Sequence, residues 1–142
     1  MTLNLIDRSN YLRGIILLNI KTATISPRRR MMISNIGSLL GFNRDFVQSA
    51  LNELIENKYL VVEPPKFSHV LFAEAFLKDG IKMALSDNDL QLNEFKWLWT
   101  IASLNNLSKQ WLYMELEDFL DHMENLSKGS FEIQKYLDEQ KN

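Results

Sequence analysis

Four acidic residues in the second half of the sequence have types and spacing that could form a cation site: Asp79, Asp87, Asp89 and Glu94. A tight turn can bring Asp87 and Asp89 near a carboxylate one turn into the next helix, and such oxygen ligands suit Ca²⁺ or Mg²⁺. The spacing is not that of an EF-hand loop, which needs a glycine and a terminal glutamate at fixed positions. The alternative that we favour is an acidic turn stabilised by a helix dipole.

The first half contains four arginines that could contact nucleic acid: Arg28, Arg29, Arg30 and Arg44. Helix-turn-helix spacing is present at Gly37, Leu40, Gly41, Val47 and Ala50. Arg44 and Gln48 would then lie at the start of a recognition helix, and the other arginines could meet phosphates.

Three observations favour two packed helices with a solvated arginine cluster over a DNA-binding site. The matching helix pair in the second half carries Glu115 and no arginine. Pro64 and Pro65 stand where a wing hairpin would begin. The sequence pI of about 5.7 is also lower than expected for a nucleic-acid-binding domain.

Aromatic residues concentrate in the second half, at Trp97, Trp99, Trp111 and Tyr113. Trp97 and Trp111 fall on apolar helix faces, so we expect them in the core. Trp99 and Tyr113 fall two residues away, and exposed aromatics of this kind suit a protein contact. The C-terminal residues could equally cover them, and both alternatives stay open. Those residues are Phe131, Ile133, Tyr136 and Leu137.

No catalytic constellation is recognisable, and we expect a protein that is not an enzyme. The 142 residues include no cysteine, which excludes thiolate chemistry and disulfides. His69 and His122 have neighbours, Ser68 and Asp121, that point to other sides of a helix. We expect both histidines at the surface.

The charge of the chain is uneven although its net value is only −2. Residues 1–65 contain eight Lys/Arg and five Asp/Glu, whereas residues 66–142 contain eight and thirteen. This polarity favours docking onto a partner protein or a second copy. The N-terminus lacks signal-peptide features, and the longest apolar run, 14–18, is too short to cross a bilayer. We therefore expect a cytoplasmic protein without a membrane partner.

Apolar periodicity predicts an all-α fold of about seven helices. The first runs from about Asp7, its N-cap, to about Lys21; Ser26-Pro27 starts the second and Gly41 ends it. Asn43, Ser68 and Ser108 are the expected N-caps of the third, fourth and sixth helices, and Asn105-Asn106 ends the fifth. A short last helix is expected over 131–139. Residues 59–62 look strand-like but are too few for a sheet.

Shifting the sequence against itself by 65 positions brings apolar residues onto apolar residues, among them Ile33 onto Leu98 and Leu51 onto Leu116. The residues expected to end helices also match, since Gly41 falls on Asn106 and both residue types commonly terminate a helix. We predict a tandem duplication in which each unit buries the other's apolar face. The expected units are 1–65, a second repeat at 66–128, and a short C-terminal helix and tail at 129–142.

Three segments of the second unit resemble the tellurite-resistance TerB-like helical family: residues 76–80, 84–90 and 94–98. The shared theme is a helix, an acidic turn and a glutamate on the next helix. The resemblance implies a small accessory module of bacterial stress or signalling systems, and some members bind divalent metal through these acids. The first unit lacks these acids: the positions of Asp87, Asp89 and Glu94 are occupied there by Thr22, Thr24 and Arg29. Any metal role therefore belongs to the second unit.

The function expected from the sequence is therefore a non-enzymatic TerB-like interaction protein that binds a partner protein, with Arg28, Arg29, Arg30, Arg44, Trp99 and Tyr113 as candidate contact residues. A helix-turn-helix DNA-binding regulator is the first alternative. A stress protein that binds a divalent cation is the second.

Overall fold

The computed structural model describes residues 2–20, 25–57, 62–86, 90–123 and 130–137. These residues form seven helices: α1 (Leu5–Asn19), α2 (Pro27–Leu39), α3 (Arg44–Glu56), α4 (Val70–Leu85), α5 (Leu92–Leu104), α6 (Lys109–Asp121) and α7 (Gln134–Leu137). The prediction of an all-α fold with about seven helices is confirmed. None of the described helices combines the length and the apolar character needed to span a membrane.

Most helix ends lie where local chemistry predicts them. The side chain of Ser26 accepts a hydrogen bond from the N–H of Arg29 at the start of α2, and Asn43 and Ser108 cap α3 and α6 in the same manner. Gly41 and Asn106 follow α2 and α5 with φ of 90° and 64°. These left-handed residues end the two helices as expected.

Two predicted N-caps are wrong, and one interaction explains both. Asp7 is buried inside α1, which starts earlier, at Leu5, with Asn4 as its N-cap. The carboxylate of Asp7 accepts hydrogen bonds from Ser68, from its N–H at 2.9 Å and from its Oγ at 2.5 Å. With that hydroxyl engaged, His69 caps α4 instead, accepting from the N–H of Leu71.

The last helix is shorter than predicted within the described residues, since α7 covers only Gln134–Leu137. The predicted strand-like stretch falls mostly outside the described residues, which resume at Val62 without a strand assignment.

The helix boundaries repeat with the offset noted in the sequence. Helices α2 and α5 each have 13 residues and begin 65 positions apart, and the same holds for α3 and α6. Helices α1 and α4 have 15 and 16 residues. This spacing agrees with the predicted duplication, which stays a prediction about the origin of the chain.

The centre of the core lies between α1 and α4. Their inward side chains are fully buried, and the ring of Tyr11 meets that of Phe76 edge-on at 5.2 Å between centroids. The helices approach closely because Gly14 has no side chain; a Cβ there would lie 2.7 Å from the Phe76 ring. Around this pair, α2–α3 and α5–α6 pack as two outer helix pairs.

Candidate interaction surface on α5 and α6

Four side chains on the outer faces of α5 and α6 form a continuous group, here named the aromatic surface: Phe95, Trp99, Lys109 and Tyr113. Phe95 and Tyr113 stack with 5.6 Å between centroids and 17° between planes. The Nζ of Lys109 lies 5.1 Å from the centroid of Trp99 and 5.6 Å from that of Tyr113. One ammonium group therefore sits over two rings, a favourable cation–π arrangement.

Helical spacing places these residues together. Phe95 and Trp99 lie one turn apart on α5, as do Lys109 and Tyr113 on α6, so each helix contributes two neighbours on one face. Helix α5 also contacts α1 through its buried side, where the Nε1 of Trp97 donates to the carbonyl of Gly14 at 3.3 Å. The surface is thus carried on well-packed helices.

The aromatic surface is accessible to a partner. Tyr113 is 47% exposed, and Trp99 and Phe95 are half-buried. Of the two alternatives left open, the exposure of Trp99 and Tyr113 agrees with the first. Trp97 lies in the core as expected, whereas Trp111 is only half-buried against it.

The C-terminal segment packs elsewhere. Tyr136 meets Phe72 of α4 edge-on at 5.4 Å, and the Nζ of Lys82 lies 5.3 Å from the ring centroid of Phe131. Ile133 is fully buried. These contacts are made with α4, and Tyr113 keeps its exposure with the segment in place.

A buried carboxylate, Asp79, holds this C-terminal segment, a role that the sequence analysis did not predict when it placed Asp79 in a cation site. Asp79, only 1% exposed, accepts from the N–H of Glu132 at 2.7 Å, from that of Ile133 at 3.2 Å and from the hydroxyl of Tyr11 at 2.5 Å. Burial raises the pKa of Asp79 to about 7, although these three donors favour the ionised form. Burial and the neighbouring carboxylate also raise the pKa of Tyr11.

The arginine cluster does not form one surface. Arg29 is only 3% exposed and pairs with Glu94, with 2.6 Å between Nη1 and Oε2. The expectation that Arg29 is solvated beside its neighbours is therefore wrong, because its guanidinium has a buried carboxylate partner. Arg28 is exposed and donates to the carbonyl of Ser86, and Arg30 and Arg44 are also exposed.

The acidic residues proposed for a cation site are engaged separately where they are described. Glu94 binds Arg29 and accepts from the N–H of Gln91 at 3.1 Å, whereas Asp79 binds Tyr11 and the C-terminal segment. Asp87 and Asp89 lie outside the described residues. Among those described, no three His, Asp or Glu side chains lie close enough to hold a metal. The geometry therefore adds no support to the cation hypothesis.

Positions matching the aromatic surface in the first unit have a different chemistry. Trp99 and Tyr113 correspond, at an offset of 65, to Ser34 and Gln48, which are joined by a hydrogen bond of 3.0 Å. The aromatic pair at these positions belongs to α5 and α6, whereas α3 carries a different ring stack, Phe46 on Phe42, with 5.3 Å between centroids.

Comparison with known proteins gives no match to a family model, to a curated protein or to a solved structure. The resemblance to TerB-like proteins stays a prediction. The functional argument therefore depends on the geometry described above.

Proposed function

We propose that this chain is a non-enzymatic helical accessory protein of TerB-like type that binds a partner protein through the aromatic surface on α5 and α6. The observation that supports this proposal is the Lys109 ammonium held over the rings of Trp99 and Tyr113 on two packed helices. Exposed Trp and Tyr side chains are common anchors of protein interfaces. Side chains already ordered by their neighbours lose less conformational entropy on binding.

The resemblance to TerB-like proteins adds the proposed setting, which is a bacterial stress or signalling system in the cytoplasm. A second copy of this chain is also a candidate partner.

Site-specific photocrosslinking tests the proposal. A benzophenone amino acid replaces Tyr113 in the full-length chain, expressed in the source cells. A matched variant carries it at Phe46, which is 54% exposed on α3. We expect a crosslinked protein that depends on position 113. The purified partner should then bind the natural chain at least ten-fold more tightly than Tyr113→Ala, a difference of about 1.4 kcal/mol.

The control and the contradicting outcomes are equally specific. Phe46→Ala should bind the purified partner as well as the natural chain does. Equal crosslinking at positions 46 and 113, or unchanged affinity of the Tyr113→Ala variant, would count against the aromatic surface.

A helix-turn-helix DNA-binding function is the second candidate, supported by the exposure of Arg28, Arg30 and Arg44 on α2 and α3. Its test is binding to mixed-sequence duplex DNA at several salt concentrations, where affinity should fall steeply as salt rises. Arg44→Ala should weaken binding and reduce that salt dependence. An absence of binding at low salt removes this candidate.

A further inference from the structure

Lys109 belongs to the aromatic surface and Lys96 follows Phe95 on α5, and neither lysine has a carboxylate partner among the described residues. We infer that the partner segment bound there is acidic, with carboxylates that pair with Lys96 and Lys109 beside an apolar side chain on Trp99 and Tyr113. This inference rests on the proposed function and specifies the chemistry of its partner.

Lys96 and Lys109 differ from two other lysines of the second half, Lys78 and Lys135, which lie near carboxylates. Lys135 lies 2.5 Å from a carboxylate oxygen of Glu132, and Lys78 lies 4.0 Å from one of Glu115. No carboxylate of the described residues lies within 4.0 Å of Lys96 or Lys109.

The exposed side of α5 adds no negative charge beside these lysines. Its exposed side chains are Leu92, Asn93, Lys96, Thr100, Ser103 and Leu104, and none is acidic. The only carboxylate on this helix, Glu94, is fully buried and paired with Arg29. A basic region thus stands within a half of the chain that carries eight Lys/Arg and thirteen Asp/Glu. Such local complementarity attracts an acidic segment and disfavours a basic one.

The placement of Lys109 suits it to bind a carboxylate. Its contacts with Trp99 and Tyr113 use the positive charge and leave its N–H donors for an acceptor. The rings also restrict the long side chain, which lowers the entropy lost when an ion pair forms.

A shallow pocket beside Lys96 offers one further donor. It has a volume of about 350 Å³ and is lined by Asn93, Lys96, Trp97 and Thr100. The amide of Asn93 can donate to a carboxylate. The hydroxyl of Thr100 already donates to the carbonyl of Lys96 at 2.8 Å. Glu117, exposed one turn after Tyr113, limits the basic region to the first turn of α6.

The test uses the full-length ¹⁵N-labelled chain and two synthetic peptides, followed by NMR titration. The probe is the acetylated peptide Glu-Asp-Phe-Glu-Asp-Leu, and its neutral match is Gln-Asn-Phe-Gln-Asn-Leu. We expect the acidic peptide to shift the resonances of α5 and the start of α6, with at least ten-fold tighter binding than the neutral peptide. Lys109→Glu should weaken binding of the acidic peptide at least ten-fold.

Lys66→Glu is the matched control, because Lys66 is an exposed lysine of the second half that lies outside the helices. It should leave peptide binding unchanged. Equal binding of both peptides, no binding at millimolar concentration, or an equal loss in Lys66→Glu overturns the inference. Tighter binding of oligothymidine to the same residues also overturns it, since that assigns the surface to nucleic acid.

The inference and the proposed function fail separately. A partner that crosslinks at position 113 and loses affinity in Tyr113→Ala supports the function even when the acidic peptide does not bind. Failure of both experiments removes the function together with the inference.

Discussion

Arg29 of α2 and Glu94 of α5 form a buried ion pair between positions 65 residues apart, with 2.6 Å between Nη1 and Oε2. The other nitrogen of the guanidinium, Nη2, donates to the carbonyl of Ala84 at 3.0 Å. The pair therefore joins the second helix of each unit and the end of α4. It also places the corresponding positions of the two predicted units against each other.

Removing one member of this pair should destabilise the protein strongly. Arg29→Met leaves the Glu94 carboxylate buried without its counter-charge, and we expect the free energy of unfolding to fall by about 3–5 kcal/mol. Urea denaturation followed by circular dichroism measures the change. Lys135→Met, which breaks an exposed pair with Glu132, should cost less than about 1 kcal/mol. A loss in Arg29→Met as small as in this control contradicts the expectation.

Stability should depend on pH through Asp79. Its pKa is about 7 in the folded protein and 3.8 ordinarily, so the folded state binds the extra proton between these values. The free energy of unfolding should therefore decrease as pH rises from about 4 to about 7 and then level off, by an amount on the order of 4 kcal/mol. Denaturation at a series of pH values tests this. Asp79→Asn should flatten the dependence, and an unchanged slope argues against Asp79 as its source.

Gly37 should tolerate no side chain beside Val47. A Cβ at position 37 would lie 2.5 Å from Cγ2 of Val47, a β-branched side chain with little rotamer freedom. Gly37→Ala gains up to about 1 kcal/mol in helix propensity but should still destabilise by roughly 1–2 kcal/mol from overpacking. Thermal denaturation measures it. If steric contact is the cause, Gly37→Ala should cost less in a Val47→Ala background than in the natural chain.

The left-handed residues after α2 and α5 should differ in what they tolerate. Gly41→Ala, at φ 90°, and Asn106→Ala, at φ 64°, should each lose about 1–2 kcal/mol, because a Cβ strains this backbone. Asn106 is exposed, so Asn106→Gly should stay within about 0.5 kcal/mol of the natural chain. Equal destabilisation by glycine and alanine at position 106 would point to the loss of a side-chain contact.

Sequence reasoning located the helices and most of their ends because those features are local. The caps at Ser26, Asn43 and Ser108 each depend on a side chain and a backbone N–H two or three residues further on. The apolar periodicity that predicted Trp97 in the core and Trp99 nearer the surface is equally local.

The buried polar network could not be predicted in this manner, since its partners are distant in the chain. Ser68 was expected to cap α4, yet its hydroxyl binds Asp7, 61 residues away. Arg29 was expected in solvent because charged side chains are rarely buried without a partner, and its partner lies 65 residues away. The place of Lys109 over two rings likewise requires the relative position of α5 and α6.

The contrast between Trp99–Tyr113 and Ser34–Gln48 has a consequence for stoichiometry. Two units of matching helix boundaries could in principle make a bivalent adaptor that bridges two ligands. At the matching positions, α5 and α6 hold the Lys109 ammonium over Trp99 and Tyr113, whereas α2 and α3 are joined by the hydrogen bond between Gln48 and Ser34. The proposed binding at this surface would therefore be monovalent for each chain, and higher-order clustering of targets would require several chains.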